Sequence, residues 1–193
     1  MAKFTKLDSH AVPLPLHNVD TDQIIPARFL KTTTKKGLGK NLFSDWRYNK
    51  DGTHKAEFVL NHPESEGAQI LIAGNNFGSG SSREHAPWAL HDWGIRAVVS
   101  TGFADIFKSN ALKNGVLPVE VDVDLHAELL DHVHRDRNTK ISIDLHTQTL
   151  SGPGQLTSEF EIDEFSKHCL LEGLDQLGYI LEFEEHIQKH EDK

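Results

Sequence analysis

The sequence predicts an α/β fold, and three observations carry the prediction. Short apolar runs of strand length occur at Gln69 to Ala73, Ile95 to Ser100 and Val116 to Val121, each ended by glycine or polar residues. Between them, apolar residues recur at helical spacing: Ala86, Ala89, Leu90 and Trp93 in one segment, and a second segment from Asp105 to about Lys113 that Asn114-Gly115 stops. Strand, loop, helix, strand, helix, strand in that order builds a layer whose ligands bind beyond the carboxyl ends of the strands. The loop 74–82 and the turn 101–105 fall at that edge.

The other elements follow in chain order. Residues 10–16 (HAVPLPL) read as an extended strand, placed at a sheet edge by its prolines. Asn18 to Pro26 is a polar turn into a short helix, capped by Asp20 or Asp22. From Lys31 to Gly52 the periodicity is lost. This stretch is basic (Lys31, Lys35, Lys36, Lys40, Arg47, Lys50) and pivots at Gly37 and Gly39. Its aromatic residues Phe43, Trp46 and Tyr48 argue against disorder, and a lid or partner-docking segment is preferred over an inert insertion. Residues 55–60 (KAEFVL) suit a strand and His62-Pro63-Glu64 a turn.

Ser81, with Glu84 three residues on, has the form of a capping box, so the central helix is expected to open at Ser81 or Ser82. Pro87 is tolerated near its first turn. Asp105 opens the next helix, as a cap or as support for the site together with Asn110. Asp122 to Arg137 is an amphipathic helix facing Leu125, Leu129, Leu130 and Val133 inward. KISIDL, QTL and QLTSEFEI then alternate as strands around the turn 151–154. Asp163 to Phe183 forms a last helix, broken near Gly173 and Gly178, in which Cys169 packs. One domain spanning 1–193 is expected, with 31–52 a long loop open to movement and 184–193 a charged tail prone to fraying.

Composition narrows the function. With 37% hydrophobic and 25% charged residues, the chain has the make-up of a soluble globule. Twenty basic against 29 acidic residues give a net charge of −9 with no basic block, which argues against nucleic acid and anionic membranes as partners. The single cysteine, Cys169, can build neither an internal disulfide, a cysteine-type zinc site nor an iron–sulfur cluster. The N-terminus lacks the apolar core of a signal peptide and no run reaches membrane-spanning length, so a cytoplasmic location is expected. The histidine pairs His132/His134 and His186/His190 read as solvated surface, since bare histidine spacing is a weak ligand signal.

The chemistry concentrates in Gly78-Ser79-Gly80-Ser81-Ser82-Arg83. Glycines allow positive φ and close approach by a ligand. Hydroxyls, a guanidinium and the N–H groups of a helix start would together favour an anion, a carboxylate or a phosphate. The pattern is no P-loop, since no Lys-Ser/Thr follows the glycines. It is no nucleophile elbow and no dinucleotide fingerprint either. Plain strand–turn–helix punctuation is the alternative reading of these residues.

GNNFGSGSSREHAPWAL resembles the signature loop of the 3-isopropylmalate dehydratase small subunits, a family within the aconitase superfamily. NVDTDQIIPARFL at 18–30 and GFADIFKSNALKNGVLPV at 102–119 resemble that family in the same order and with similar spacing. The resemblance implies a swivelling β/β/α domain, equivalent to the mobile C-terminal domain of aconitase. It also implies isomerisation of 2-isopropylmalate to 3-isopropylmalate by dehydration and rehydration, in leucine biosynthesis. It assigns Ser81 as the base, Arg83 as a carboxylate clamp and Asp22 as an active-site carboxylate. Substrate contacts fall to Gly80 and Ser82, with Arg28, Phe29 and Leu30 reading the variable side chain. Glu84 is read as a cap and His85 as structural or as a support behind the substrate contacts. The resemblance further implies a [4Fe-4S] cluster, which one cysteine cannot hold. No cofactor is therefore expected in this chain, and a large cluster-bearing subunit is expected as partner in a heterodimer or heterotetramer. Two alternatives stay open: a related hydro-lyase acting on homoaconitate, citraconate or dimethylmalate, and a non-catalytic dicarboxylate-binding module.

Overall fold

The computed structural model describes residues 1–184 and Gln188. The chain runs through β1 (Lys6–Leu14), α1 (Thr21–Ile24), α2 (Ser44–Arg47), β2 (Ile70–Ala73), α3 (His85–Trp93), β3 (Ala97–Ser100), α4 (Asp105–Lys113) and β4 (Leu117–Glu120). It continues with α5 (Val123–Arg135), β5 (Lys140–Asp144), β6 (Thr149–Ser151), β7 (Thr157–Glu159), α6 (Glu164–Glu172) and α7 (Gln176–Leu181). The strands form one sheet in the order β4-β3-β2-β1-β5-β6-β7. Pairs among β1 to β4 are parallel and those from β1 through β5 to β7 antiparallel.

The parallel half is apolar on both faces because helices cover both, as a parallel sheet requires. Leu71, Ala73 and Val98 point to the side of α3 and α4, where they meet Ala86, Ala89, Leu90, Phe107 and Ala111. Their neighbours Ile70, Ile72, Ala97 and Val99 point the other way, onto Leu125, Leu129 and Val133 of α5. This period-2 division gives the molecule two apolar layers on one sheet. The carboxyl ends of β1, β2 and β3 all open at the same edge.

Several elements depart from expectation, each for a tertiary reason. β1 lies at the centre of the sheet, not at an edge. It pairs with β5 only over Lys6–His10 and with β2 over Ala11–Leu14, so Pro13 lies where β5 no longer runs alongside. Residues 55–60 form no strand. Asn61 Nδ2 donates to the carbonyls of Arg47 and Lys55, and a 3-10 turn at Val59–Asn61 takes the place of an extended run. Asp105 makes no side-chain cap on α4, whose preceding residue is Ala104. The last helical stretch breaks at Gly173 as expected, but Gly178 lies inside α7. The His186/His190 pair and all of the tail except Glu184 and Gln188 lie outside the described residues.

The segment 31–52 is tied down from Gly37 onward. Asp92 Oδ2 accepts the N–H groups of Gly37 and Gly39 at 2.9 and 2.7 Å. Leu38, Leu42 and Phe43 enter the core, and the rings of Phe43, Trp46 and Phe58 pack in a mutual cluster. Buried Arg47 donates to the carbonyls of Gly39 and Leu42 and to Asn61 Oδ1, and burial lowers its pKa from the ordinary arginine value.

Two predictions follow from this packing. Phe43→Ala, at a fully buried position, should cost about 3–5 kcal/mol in urea unfolding, whereas a cost under about 1 kcal/mol would mean that the segment is not part of the core. His126, buried on α5 with Nε2 2.7 Å from the Ala73 carbonyl, has its pKa lowered from 6.5 by burial; His91 is lowered likewise, by burial and the nearby Arg96. The unfolded chain therefore binds the proton more readily than the folded one. The stability these imidazoles contribute is intact above 6.5 and is lost as the pH falls through their folded values. Unfolding free energy measured against pH should decline below 6.5, and His126→Gln should flatten that decline.

Candidate functional site

The site is built where the loop after β2 meets the loop after β1. The loop 74–83 pairs with residues 17–21 along its length. The Asn18 N–H donates to the Asn75 carbonyl at 2.9 Å, and the N–H groups of Gly78 and Ser79 donate to the Val19 carbonyl at 2.8 and 3.1 Å. The Thr21 N–H returns to the Ser79 carbonyl at 2.8 Å, and the Thr21 hydroxyl reaches the Ser81 carbonyl at 2.9 Å. On the other side Phe77, fully buried against Phe107, pairs its backbone with Gly102 and Ala104. The reactive-looking loop is thus braced from two directions.

α1 explains the placement of Asp22. Asp20 is its N-cap: Asp20 Oδ1 accepts the Asp22 N–H, and Gln23 Oε1 reaches back to the Asp20 N–H at 2.8 Å, completing a capping box. Capped in this way, the helix projects the Asp22 carboxylate at Arg83, and the two form an ion pair. The Arg83 side chain is only 19% exposed while that of Asp22 is 49% exposed, so the pair offers solvent its acidic side. Ser81 and Ser82 are exposed beside it.

The capping box expected at Ser81 and Glu84 does not form. α3 opens at His85 after Glu84, which makes no side-chain cap. The Ser81 carbonyl accepts from the Thr21 hydroxyl, and Gly78 and Gly80, with φ of 79° and 88°, keep the preceding backbone out of helical conformation. Pro87 still falls within the first turn. The peptide dipoles of α3 consequently begin four residues beyond Ser81, and the local positive charge rests on Arg83.

Ser81, Arg83, Asp22 and Gly80 come together. Arg28, Phe29 and Leu30 lie in a separate neighbourhood. The Arg28 guanidinium pairs with Asp45, contacts Ser44 and stacks 4.6 Å over the Phe29 ring; hydrogen bonding to Arg28 holds the Asp45 carboxyl below its ordinary pKa. Arg28 also lines an open basic cleft of about 860 Å³ with Lys40, Tyr48, Lys50 and Lys55. His85 Nε2 lies 3.0 Å from the Thr32 carbonyl, and its ring packs against Trp88. Sequence reasoning passed over Thr21 and over His17, whose Nδ1 accepts the Asn75 N–H at 3.0 Å.

Among the described residues no three His, Cys, Asp or Glu side chains are grouped to hold a metal ion. Cys169 is buried on α6, where burial raises its thiol pKa. These residues do not fit an iron–sulfur cluster.

The aconitase C-terminal domain model matches residues 1–124. A protein of Solibacter usitatus named 3-isopropylmalate dehydratase small subunit is 58% identical over 99% of this chain and 94% of its own length. The chain belongs to the 3-isopropylmalate dehydratase small-subunit family. An Agrobacterium fabrum member with the same name is 57% identical over 94% of this chain and 90% of its own. The solved structure of 3-isopropylmalate dehydratase from Methanocaldococcus jannaschii superposes with a TM-score of 0.68 at 26% identity, covering 96% of this chain and 99% of that one. The small-subunit fold is accordingly the α/β swivelling domain of the aconitase superfamily.

In this small subunit Gly80 has no room for a side chain. A Cβ there would lie 2.0 Å from Asp20 Oδ2, whereas one at Gly52, with a similar φ of +85°, would meet nothing within 4 Å. Gly80→Ala should therefore unfold at lower urea than Gly52→Ala by at least about 1 kcal/mol. Equal losses would show that the Asp20 contact costs nothing beyond backbone strain.

Proposed function

We propose that this chain is the substrate-gripping half of a two-subunit hydro-lyase that isomerises 2-isopropylmalate to 3-isopropylmalate in leucine biosynthesis. The observation that carries the reading is the Arg83–Asp22 ion pair beside exposed Ser81, in a chain so similar over its whole length to proteins named for that dehydratase. In the dehydration a proton leaves the carbon beside a carboxylate and a hydroxyl leaves the neighbouring carbon; rehydration returns them in exchanged positions.

Ser81 takes the proton as an alkoxide. A serine hydroxyl is a weak acid, and the cation of Arg83 two residues away is the group that stabilises the anion. Arg83 also binds a substrate carboxylate, with bidentate geometry open to its planar fork. Until substrate arrives, Asp22 holds that guanidinium in place. Gly80 lets the backbone come close, and the Ser82 hydroxyl donates to substrate. Arg28, Phe29 and Leu30 read the isopropyl side chain from the adjoining segment.

Departure of the hydroxyl calls for a Lewis acid. This chain's donors do not fit a cluster, so the [4Fe-4S] group belongs to a large subunit with which this one forms a heterodimer or a larger assembly. We place the pair in the cytoplasm. No helix of the described residues is long and apolar enough to cross a membrane.

Turnover of 2-isopropylmalate, followed anaerobically by ultraviolet absorbance of the unsaturated intermediate, tests the reading. The chain alone should be silent and the reconstituted pair active. Ser81→Ala in the pair should lose about 10²–10⁴-fold in kcat. Activity of the chain alone, or full activity with Ser81→Ala, would contradict it, and turnover of homoaconitate or citraconate in place of 2-isopropylmalate would move the substrate but not the chemistry.

A further inference from the structure

We infer that Thr21 is a positioning residue for Ser81, the decisive tie in a splint formed by residues 17–21. The inference rests on the proposed role of Ser81. Three groups at the start of α1 grip alternate residues of the loop: the Thr21 N–H holds the Ser79 carbonyl, the Thr21 hydroxyl holds the Ser81 carbonyl, and the Asp22 carboxylate holds Arg83. Base and clamp are thereby fixed by consecutive residues of one capped helix. Thr21 is 2% exposed, so its hydroxyl is not shared with bulk water, and its β-branched side chain has restricted χ1 freedom.

The opposite end of the splint is held by His17 and Asn18. His17 Nδ1 accepts the Asn75 N–H, and Asn18 Oδ1 accepts Asn76 Nδ2 at 2.8 Å. Asn76 has a φ of 56°, an unfavourable conformation that persists only where surrounding contacts fix it. The loop backbone between these ends has given up helix and sheet partners for partners in 17–21. Removing the Thr21 tie leaves Ser81 bonded to the splint through no group of its own, while the rest of the ladder stays.

The test uses Thr21→Val, which keeps the shape and removes the hydroxyl, and Thr21→Ser, which restores it. In the reconstituted pair Thr21→Val should lower kcat about tenfold or more with KM changed less than about twofold, since a small misplacement of a reacting group costs rate more than binding. Thr21→Ser should recover most of that loss. Amide hydrogen exchange on the full chain alone should quicken at Thr21, Gly78 and Ser79, whose N–H groups join the loop to the splint, in Thr21→Val and stay as in the wild type in β2 and β3, which also shows that the variant folds. His17→Asn, whose amide oxygen can replace Nδ1 as acceptor, should keep Asn75 protected, and His17→Gln, one bond longer, should not. Wild-type kcat and exchange in Thr21→Val, or equal losses in Thr21→Val and Thr21→Ser, would overturn the inference. Ser81→Ala with full turnover would instead overturn the role given to Ser81, and the exchange at Thr21, Gly78 and Ser79 would still decide the splint.

Discussion

The loop after β2 carries a run of backbone N–H and carbonyl groups that neither the sheet nor α3 can satisfy, and the site depends on where those groups go. They go to residues 17–21 on one side and 102–104 on the other. Backbone polar groups packed against a core must find partners. Here the partner is the loop of the neighbouring parallel strand, which emerges at the same edge because β1 and β2 pair in parallel. The sheet topology therefore creates the adjacency, and the ladder of loop hydrogen bonds turns it into a fixed geometry.

Electrostatics then decides what the geometry is for. The chain has a net charge of −9, so an anionic substrate must find positive charge concentrated locally. Two concentrations exist. The cleft around Arg28, Lys40, Lys50 and Lys55 is open and solvated, and charges there act mainly on the approach of an anion. Arg83 is different: largely covered, held by one carboxylate, and next to a hydroxyl. A guanidinium in that setting interacts more strongly with a substrate carboxylate than an exposed lysine does. Arg83 does not line the larger cleft, so the proposed proton transfer and the approach of substrate fall at different places on the surface.

Much of this was legible in the sequence, and the rest was not for definite reasons. The parallel strands were readable because burial on both faces leaves continuous apolar runs, and helix ends at Asn114-Gly115 and Gly173 because positive φ needs such residues. A cap at Asp20 or Asp22 was readable from the local pattern, and only the fold decides for Asp20. The capping box at Ser81 obeyed the same local rule, yet the backbone there is held by the loop after β1, sixty positions away in sequence, and α3 opens only at His85. Pro13 suggested an edge because the rule concerns hydrogen-bonding partners, and β1 changes partners half-way along. Ser81, Arg83 and Asp22 could be named from motif resemblance. Thr21 and His17 could not, since nothing local distinguishes a threonine or histidine that serves a distant backbone.

The proposed chemistry requires that a hydroxy-dicarboxylate bind at the loop 79–83. Amide chemical shifts of the chain, followed while 2-isopropylmalate is added, test that most directly. Perturbations centred on residues 20–22 and 79–83, weak in the chain alone and lost in Arg83→Gln, are what the geometry predicts. Perturbations confined to the basic residues 40–55, with 79–83 unmoved and Arg83→Gln without effect, would contradict it.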